Sequence, residues 1–368
     1  MPPPSLTGAY KRLASLDVLR GLIMVLLALE STYLYEHIHT LAKGTGMESL
    51  SNQFFHHPWN GLRFWDLIQP AFMFMAGTAM AYSLRKQAAM GMSWNDSLRK
   101  TLKRCFWLFF WGVLNYAVRD NGLSFELWNV LTQLSFTTLV AFLIHRWPTR
   151  YQILCCIGIL LLTEFLYRYS AIPGFDQPFT DQHNFGNWMD LVLMGKINND
   201  GWVAINALPT SVHTIAGYLA GRLLLNATQP IRTLLSWGLL CMILGYGLDW
   251  LHITPIIKRI ATSSFTLASL GWCLWALAAV YWWIDIRGHQ RYLFFFTVVG
   301  MNSIFIYLFF EIVGHRWFNG YITTITHGIL AWTGWPETIL GILGALTIFG
   351  LEWGICYFLY RKKIFFTL

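Results

Sequence analysis

Two adjacent histidines and an aspartate precede one long apolar segment, in the stretch HHPWNGLRFWDLIQP that ends at Pro70. His56 and His57 could act as a general base, because imidazole titrates near neutral pH without further tuning. They could instead be structural histidines at a membrane interface, or metal ligands, although no third ligand stands at useful spacing. A proline inside a helix frees a backbone carbonyl. Asp66, Gln69 and that carbonyl could therefore form a polar funnel below the histidines.

Two further groups of polar residues interrupt apolar sequence. PIIKRIATSSF places Lys258 near the hydroxyls of Thr262 and Ser264. This group could hold an anionic or polyhydroxyl ligand at a helix N-terminus, or it could be an ordinary helix cap with a snorkelling lysine. GMNSIFIY places Asn302 and Ser303 well inside an apolar run. A buried amide without a partner is costly, so Asn302 is expected to meet a partner or a ligand.

The first apolar run carries charged residues at both ends. Asp17 and Arg20 are three positions apart, which puts them on one helical face where they can pair. The pair is either a structural ion pair at the cytoplasmic interface or part of a site. Glu30 and Ser31 close the same run, and ionisable groups inside a span are functional candidates because they are expensive. Walker, GxGxxG, GxSxG and HExxH patterns are missing from the sequence, so soluble nucleotide and hydrolase chemistries gain no support.

The composition indicates that membrane helices position these residues. Of the 368 residues, 55% are hydrophobic and 12% are charged, whereas soluble domains carry about 25% charged residues. The 19 tryptophans suit interfacial belts. The formal net charge of +8 comes largely from short basic loops, which predicts a lipid bilayer and not nucleic acid as the partner. All six cysteines fall in apolar runs and are expected to be small buried hydrophobes.

We predict an all-α polytopic membrane protein, with 1–368 forming one transmembrane domain and 1–15 a cytoplasmic N-terminal segment. Lys11 and Arg12 precede the first apolar run, which lacks a small-residue cleavage site and is expected to be a retained helix. The segment 319–335 is short and broken by glycine, so we expect a re-entrant or interfacial segment. The predicted spans are the apolar stretches 16–35, 62–84, 102–118, 127–145, 151–168, 202–225, 233–250, 262–284, 291–312 and 337–360.

The distribution of positive charge supports ten spans. The basic loop 85–104 and the C-terminal cluster 361–363 fall on the same side of the membrane in a ten-span arrangement. By the positive-inside rule, both termini then lie in the cytoplasm. Eleven spans would place the C-terminal cluster outside.

Five motifs stand in order along the chain: SLDVLRGL at 15–22, H-x-x-WNGL at 56–62, DLIQPAFMFMAG at 66–77, PIIKRIATSSF at 255–265 and GMNSIFIY at 300–307. Together they resemble the heparan-α-glucosaminide N-acetyltransferase-like family of polytopic membrane acyltransferases, which includes bacterial relatives such as NagX. The resemblance runs from about residue 12 to the C-terminal YRKKIF. It implies a membrane enzyme that transfers an acetyl group from cytoplasmic acetyl-CoA to the amine of a glucosamine-type sugar at the outer, periplasmic face. The expected location is the bacterial inner membrane. No metal is expected in the site, and a homodimer is compatible with the family.

The resemblance also implies roles for individual residues. The active-site histidine of the family lies three positions before the tryptophan of WNGL, which is His56 here. His56 would act as general base or as an acetyl-accepting nucleophile. Asp66 or Glu30 would orient or stabilise it. Where the heparan enzyme has an asparagine near the end of its first span, this chain has Ser31 beside Glu30.

The remaining roles concern the thioester oxygen and the substrates. Asn302, with the hydroxyls of Thr262 and Ser264, would stabilise the developing oxyanion. Lys258 would meet a sugar carboxylate or a phosphate. The residues assigned to substrate and acetyl-CoA binding are Trp59, Asn60, Lys258, Thr262, Ser264, Ser303, Asp17 and Arg20.

A second function class fits part of the pattern. Ten helices, a proline-interrupted span and polar groups at depth also describe a transporter or flippase for a sugar or glycan precursor. The sequence shows no inverted repeat, and its polar groups concentrate toward one face, which favours the enzyme. Release of free CoA thiol in detergent, where no gradient exists, would separate the two classes.

Overall fold

The chain folds as the all-helical protein that its composition predicts. Lys11 and Arg12, predicted to be cytoplasmic, lie outside the described residues. The computed structural model describes residues 13–119, 122–289, 291 and 293–366. Its α-helices in chain order are α1 (Ala14–Ser31), α2 (Leu34–Ala42), α3 (Glu48–Ser51), α4 (Ile68–Ala89), α5 (Trp94–Ala117), α6 (Val130–Ile144), α7 (Thr149–Tyr169), α8 (Phe185–Met194), α9 (Ala207–Asn226), α10 (Pro230–Trp250), α11 (Ser263–Tyr281), α12 (Leu293–Met301), α13 (Ser303–Leu308), α14 (Asn319–Leu330) and α15 (Glu337–Arg361).

Short irregular helices and one hairpin complete the described chain. The strands β1 (Val118–Arg119) and β2 (Gly122–Leu123) pair antiparallel. A ten-residue π-helix, Phe309–Phe318, joins α13 to α14. The other 3-10 or π segments are Asn52–Phe54, Phe64–Leu67, Ala204–Asn206, Trp282–Ile286 and Ala331–Thr333.

Each predicted span contains a helix, and five helices of the described chain are long and apolar enough to cross a membrane. They are the combined helix Phe64–Ala89, α7, α10, the combined helix Ser263–Ile286, and α15. Taken together, α12 and the helical run Ser303–Thr333 are also long and apolar enough, but they meet at an angle of 73°, the geometry of a broken span or of a re-entrant loop. The segment 319–335, predicted to be re-entrant or interfacial, is largely the helix α14, which belongs to this bent pair.

The start of α4 differs from the prediction. Pro70 lies in the first α-helical turn, after the 3-10 segment Phe64–Leu67, and not in a helix interior. A first-turn proline lacks an N–H that would be unpaired in any case. Gln69 donates to the side chain of Gln133 in α6. Gln69, which could line a polar funnel with Asp66 and a freed carbonyl, therefore has its side-chain partner in another helix.

Close contact between α4 and α9 fixes the helix that follows Asp66. A Cβ on Gly77 would lie 1.9 Å from Thr214 O, and a Cβ on Gly217 would lie 1.9 Å from Phe74 O. Only glycine fits at either position. Small residues at helix crossings are typical of membrane bundles, where close van der Waals contact drives association. The two glycines thus hold α4 directly against α9.

The first helix defines two ends of the bundle. Asp17 and Glu30 are separated by about 20 Å along α1, at 1.5 Å per residue. Glu30 contacts Trp65, which precedes α4, so the loop carrying His56 lies at this end, which we call the His56 end. Gly300 in α12 packs on the backbone of Asp17. We call this opposite end the Asp17 end.

Candidate active site

Asp66 folds the loop that carries His56. Its Oδ2 accepts hydrogen bonds from the backbone N–H of Arg63 at 2.9 Å and of His57 at 3.2 Å. The guanidinium of Arg63 donates back to His56 O at 3.1 Å. Asp66 is almost completely buried, with 1% of its surface exposed. The second carboxylate oxygen, Oδ1, is therefore held at 3.0 Å from His56 Nδ1.

A lysine from a distant segment completes the arrangement. Lys258 Nζ lies 3.0 Å from His56 Nδ1 and 3.7 Å from Asp66 Oδ1. Its segment is joined to the His56 loop by a backbone bridge between Asn60 and Ile257. A single ring nitrogen cannot both donate to Asp66 and accept from Lys258. If the proton is on Nδ1, the bond goes to Asp66 and Nε2 keeps its lone pair.

The surroundings set the charge of both groups. Burial, together with the Lys258 ammonium, lowers the pKa of His56 to about 4, although Asp66 opposes the shift. Burial also lowers the pKa of Lys258 to about 8, opposed by the carboxylates of Asp66 and Glu30. At neutral pH the histidine is therefore a free base beside an ammonium. The side chain of His56 is 36% exposed, so a reactant can reach it.

Trp202 forms one wall of this site. Its ring meets the His56 ring edge-to-face, with centroids 5.6 Å apart. Lys258 Nζ lies 5.3 Å from the centroid of the same indole, close enough for a cation–π interaction. Trp202 and Arg63 were not identified from the sequence. Arg63 directly follows the WNGL motif, which could have drawn attention to it, whereas nothing in the spacing of Trp202 relates it to His56.

His57 has a different environment from His56. Its imidazole packs on Gly61, where a Cβ would lie 2.6 Å from His57 Nε2. Burial lowers its pKa, and its Nδ1 has no hydrogen-bond partner among the described residues. His57 fills space within the loop, and only its backbone N–H contacts Asp66.

Three of the predicted site residues shape the surroundings of His56. Trp59 donates from Nε1 to Phe179 O at 2.8 Å, which fixes its indole. Asn60 pairs through its backbone with Ile257. Glu30 accepts a hydrogen bond from Trp65 Nε1 at 3.0 Å and influences Lys258 through its charge.

Thr262 and Ser264 shape the turn that carries Lys258. Both hydroxyls donate to Pro255 O, at 2.7 and 2.6 Å. Thr262 also caps α11, since Phe265 N donates to its hydroxyl at 3.4 Å. With both hydroxyl protons directed at one carbonyl, this geometry favours the helix-cap interpretation over donation to an oxyanion.

The structure does not bring the other predicted residues to His56. Asn302 donates to Ile364 O at 3.2 Å and accepts from Phe366 N at 3.0 Å, so its partner is the C-terminal segment. Ser303 begins α13, just after this bend. Asp17 and Arg20 approach to 3.9 Å, as their spacing predicts. All four lie toward the Asp17 end. Within the described ranges, no three His, Cys, Asp or Glu side chains converge as metal ligands.

Comparison with known proteins agrees with the motifs. The family model described as heparan-alpha-glucosaminide N-acetyltransferase, catalytic, matches residues 12–253, which include His56 and Asp66 but not Lys258. The chain belongs to this family. The resemblance inferred from the five motifs is thereby confirmed.

Two similar proteins are the heparan-alpha-glucosaminide N-acetyltransferases of Homo sapiens and Mus musculus. Each is 23% identical to this chain, over 446 and 439 residues. The alignments cover 99% and 100% of this chain, and 61% and 62% of the two relatives. The chain thus spans about three fifths of the length of these relatives.

Proposed function

We propose that this protein is a membrane acetyltransferase that moves an acetyl group from acetyl-CoA to the amine of a glucosamine-type sugar. The observation that carries the proposal is the contact of His56 Nδ1 with Asp66 Oδ1, at 3.0 Å, in a ring that remains 36% exposed. A buried carboxylate that orients one ring nitrogen leaves the other free as base or nucleophile. Family membership supplies the reaction class.

The transfer uses Nε2 of His56. In direct attack, the acceptor nitrogen forms a bond to the acetyl carbonyl carbon while Nε2 takes the proton of the amine. The C–S bond then breaks, and the departing CoA thiolate takes the proton from the imidazolium to leave as the thiol. In the two-step variant, Nε2 forms a bond to the acetyl carbon, the C–S bond breaks and the CoA thiolate leaves. The amine then attacks the same carbon, the bond to Nε2 breaks, and the amine proton passes through Nε2 to the thiolate. Both variants need Nδ1–H on Asp66.

Asp66 and Lys258 have opposite effects on His56. The Asp66 carboxylate stabilises the imidazolium that forms during transfer, as well as the orientation of the ring. The Lys258 ammonium makes that imidazolium costly, so His56 is unprotonated before the substrates arrive. With the proton of Nδ1 on the Asp66 side, Lys258 acts on the ring through its charge and not through a hydrogen bond.

The sidedness is part of the proposal. We infer ten spans, with both termini and the Asp17 end in the cytoplasm and the His56 end at the outer face of a bacterial inner membrane. Support comes from the basic residues near the ends of α4 and α15: Arg85 contacts Leu225 O at the end of α9, and Arg361 closes α15 beside the segment that holds Asn302. Acetyl-CoA would enter from that side. A homodimer is compatible with this arrangement.

The test is release of CoA thiol by the purified protein in detergent. We expect release from acetyl-CoA that depends on glucosamine and is absent with N-acetylglucosamine, whose nitrogen is already acylated. A carrier would release no thiol, since no gradient exists in detergent. Binding of acetyl-CoA without release for any amino sugar would contradict the proposed acceptor. If the protein neither binds acetyl-CoA nor releases thiol, the result would favour transport.

A further inference from the structure

A second group of polar and aromatic side chains lies beside the His56 site, gathered around Gly201. A Cβ on Gly201 would lie 2.4 Å from Asp181 Oδ1 and 2.7 Å from Cζ3 of Trp59. Gly201 also has a φ of +77°, in the region that favours glycine. The Asp181 carboxylate and the Trp59 indole therefore both lie against one backbone position that no other residue can occupy without displacing them.

Arg259 brings a positive charge to the same place. Its guanidinium carbon lies 6.0 Å from the centroid of the Trp59 ring. Trp59 itself is fixed by its hydrogen bond to Phe179 O. Together with Asp181, these residues give a rigid aromatic face flanked by one carboxylate and one guanidinium. We call Trp59, Asp181 and Arg259 the Trp59 cluster.

The charged side chains of the Trp59 cluster have no hydrogen-bond partner among the described residues. Over the ranges that the structure describes, the side chains of Asp181 and Arg259 make no hydrogen bond or ion pair, and Asp181 Oδ1 and Arg259 Nε are covered atoms without a partner. Polar atoms in such positions are normally paired, and an exception calls for an explanation such as a missing ligand. Both residues are only half-buried, so a ligand can reach their remaining polar atoms.

The Trp59 cluster adjoins the His56 site through the backbone at two points. Gly201 is followed directly by Trp202, whose ring contacts His56. Arg259 directly follows Lys258, whose ammonium contacts His56 Nδ1. Consecutive Cα atoms are about 3.8 Å apart. The Trp59 cluster therefore borders the His56 site, and the Arg259 charge acts on the His56 ring.

We propose that the Trp59 cluster binds a pyranose ring of the acceptor through its hydroxyl groups, an inference that rests on the proposed function. A sugar hydroxyl both donates and accepts, so neighbouring hydroxyls complement a carboxylate on one side and a guanidinium on the other. The indole offers an apolar face to the C–H groups of the ring. A ligand that is only anionic would be repelled by Asp181, which argues for a sugar instead of a free phosphate.

The test measures sugar binding by calorimetry on the purified full-length protein. Glucosamine and N-acetylglucosamine are compared, because the hydroxyls that the cluster would recognise are common to both. In Asp181→Asn and in Arg259→Gln, the affinity for both sugars is expected to fall about tenfold or more, the effect of losing a hydrogen bond to a charged group. Asp176→Asn removes an exposed carboxylate from the same loop and should bind like the wild type. The thermal unfolding midpoint of each variant confirms that it is folded.

The outcomes separate this inference from the proposed function. Unchanged sugar affinity in both folded variants would overturn the inference, as would failure of the wild type to bind either sugar. Glucosamine-dependent thiol release with an unchanged acceptor KM in both variants would keep the function and overturn the binding site. If the wild type binds sugar and releases no thiol, and the variants lose sugar binding, the binding site would be supported and the acetyltransferase function contradicted.

Discussion

Lys258 Nζ lies 3.0 Å from His56 Nδ1, although 202 positions separate the two residues in the chain. The contact depends on the backbone bridge that ties Asn60 to Ile257. The Lys258 ammonium therefore contacts the same ring nitrogen that lies 3.0 Å from Asp66 Oδ1. The histidine is consequently oriented by a carboxylate and kept unprotonated by a cation.

Replacing Lys258 should change the pH dependence of turnover. With the ammonium present, the pKa of His56 is about 4, so the base is free throughout the neutral range. In Lys258→Met that pKa should rise toward its ordinary value, because one cause of the lowering is gone. Because burial, the larger cause, remains, the rise is partial, and the rate of the variant divided by that of the wild type should fall as the pH drops from about 6.5 toward 4.

Lys258→Arg is the matched control for this effect, since it keeps the positive charge. The measurement is thiol release with glucosamine at a series of pH values. The amine of the acceptor titrates identically in every reaction, so the ratio reports the enzyme. A ratio for Lys258→Met that does not change with pH would show that Lys258 does not control the protonation of His56.

Asp66→Asn should reduce turnover strongly. The amide keeps the shape but loses the charge that stabilises an imidazolium, so kcat should fall about a hundredfold or more. The NH₂ of the asparagine must also take one of two places. It faces either the two backbone N–H donors of Arg63 and His57 or the ring of His56. Initial rates of thiol release and the acceptor KM are measured alongside Asp176→Asn. A normal kcat in Asp66→Asn would remove Asp66 from the mechanism.

Asn302→Ala should lower the stability of the protein and leave kcat unchanged. The side chain of Asn302 bonds Ile364 O and Phe366 N, so its loss leaves backbone groups unpaired. The free energy of unfolding should fall by about 1–3 kcal/mol, seen as a lower midpoint in detergent. If Asn302 were a donor to the oxyanion, kcat would instead fall about 10²–10³-fold.

Gly217→Ala should destabilise the contact between α4 and α9. The added Cβ would meet Phe74 O at 1.9 Å, and backbone cannot move aside cheaply. Overpacking of this kind costs about 1–3 kcal/mol or more. Gly158→Ala is the control, because a Cβ there has no neighbouring atom within 4 Å and alanine favours helix. Equal unfolding midpoints for the two variants would contradict this packing.

The sequence predicted well what short-range patterns determine. The ten apolar stretches all contain helices, because the length and apolarity of a segment are local properties. The pairing of Asp17 with Arg20 followed from helical spacing. The resemblance implied that Asp66 or Glu30 acts on His56, and it is Asp66, ten positions away, that contacts the ring.

Contacts between distant segments could not be predicted from the sequence. Lys258 was expected to meet an anionic substrate, but its contact with His56 depends on the bridge between two loops. Asn302 was expected at the thioester, yet its partners follow α15. From the sequence, Thr262 could equally cap a helix or donate to an oxyanion. The hydrogen bond from its hydroxyl to Pro255 O favours the cap.

The most direct test of the account compares His56→Ala with His57→Ala in glucosamine-dependent thiol release. The two residues are neighbours, but only His56 contacts Asp66 and Lys258 through its ring. We expect His56→Ala to lose about 10²–10⁴-fold in rate, with its unfolding midpoint retained, while His57→Ala stays active. A folded His56→Ala that turns over at the wild-type rate would contradict the account.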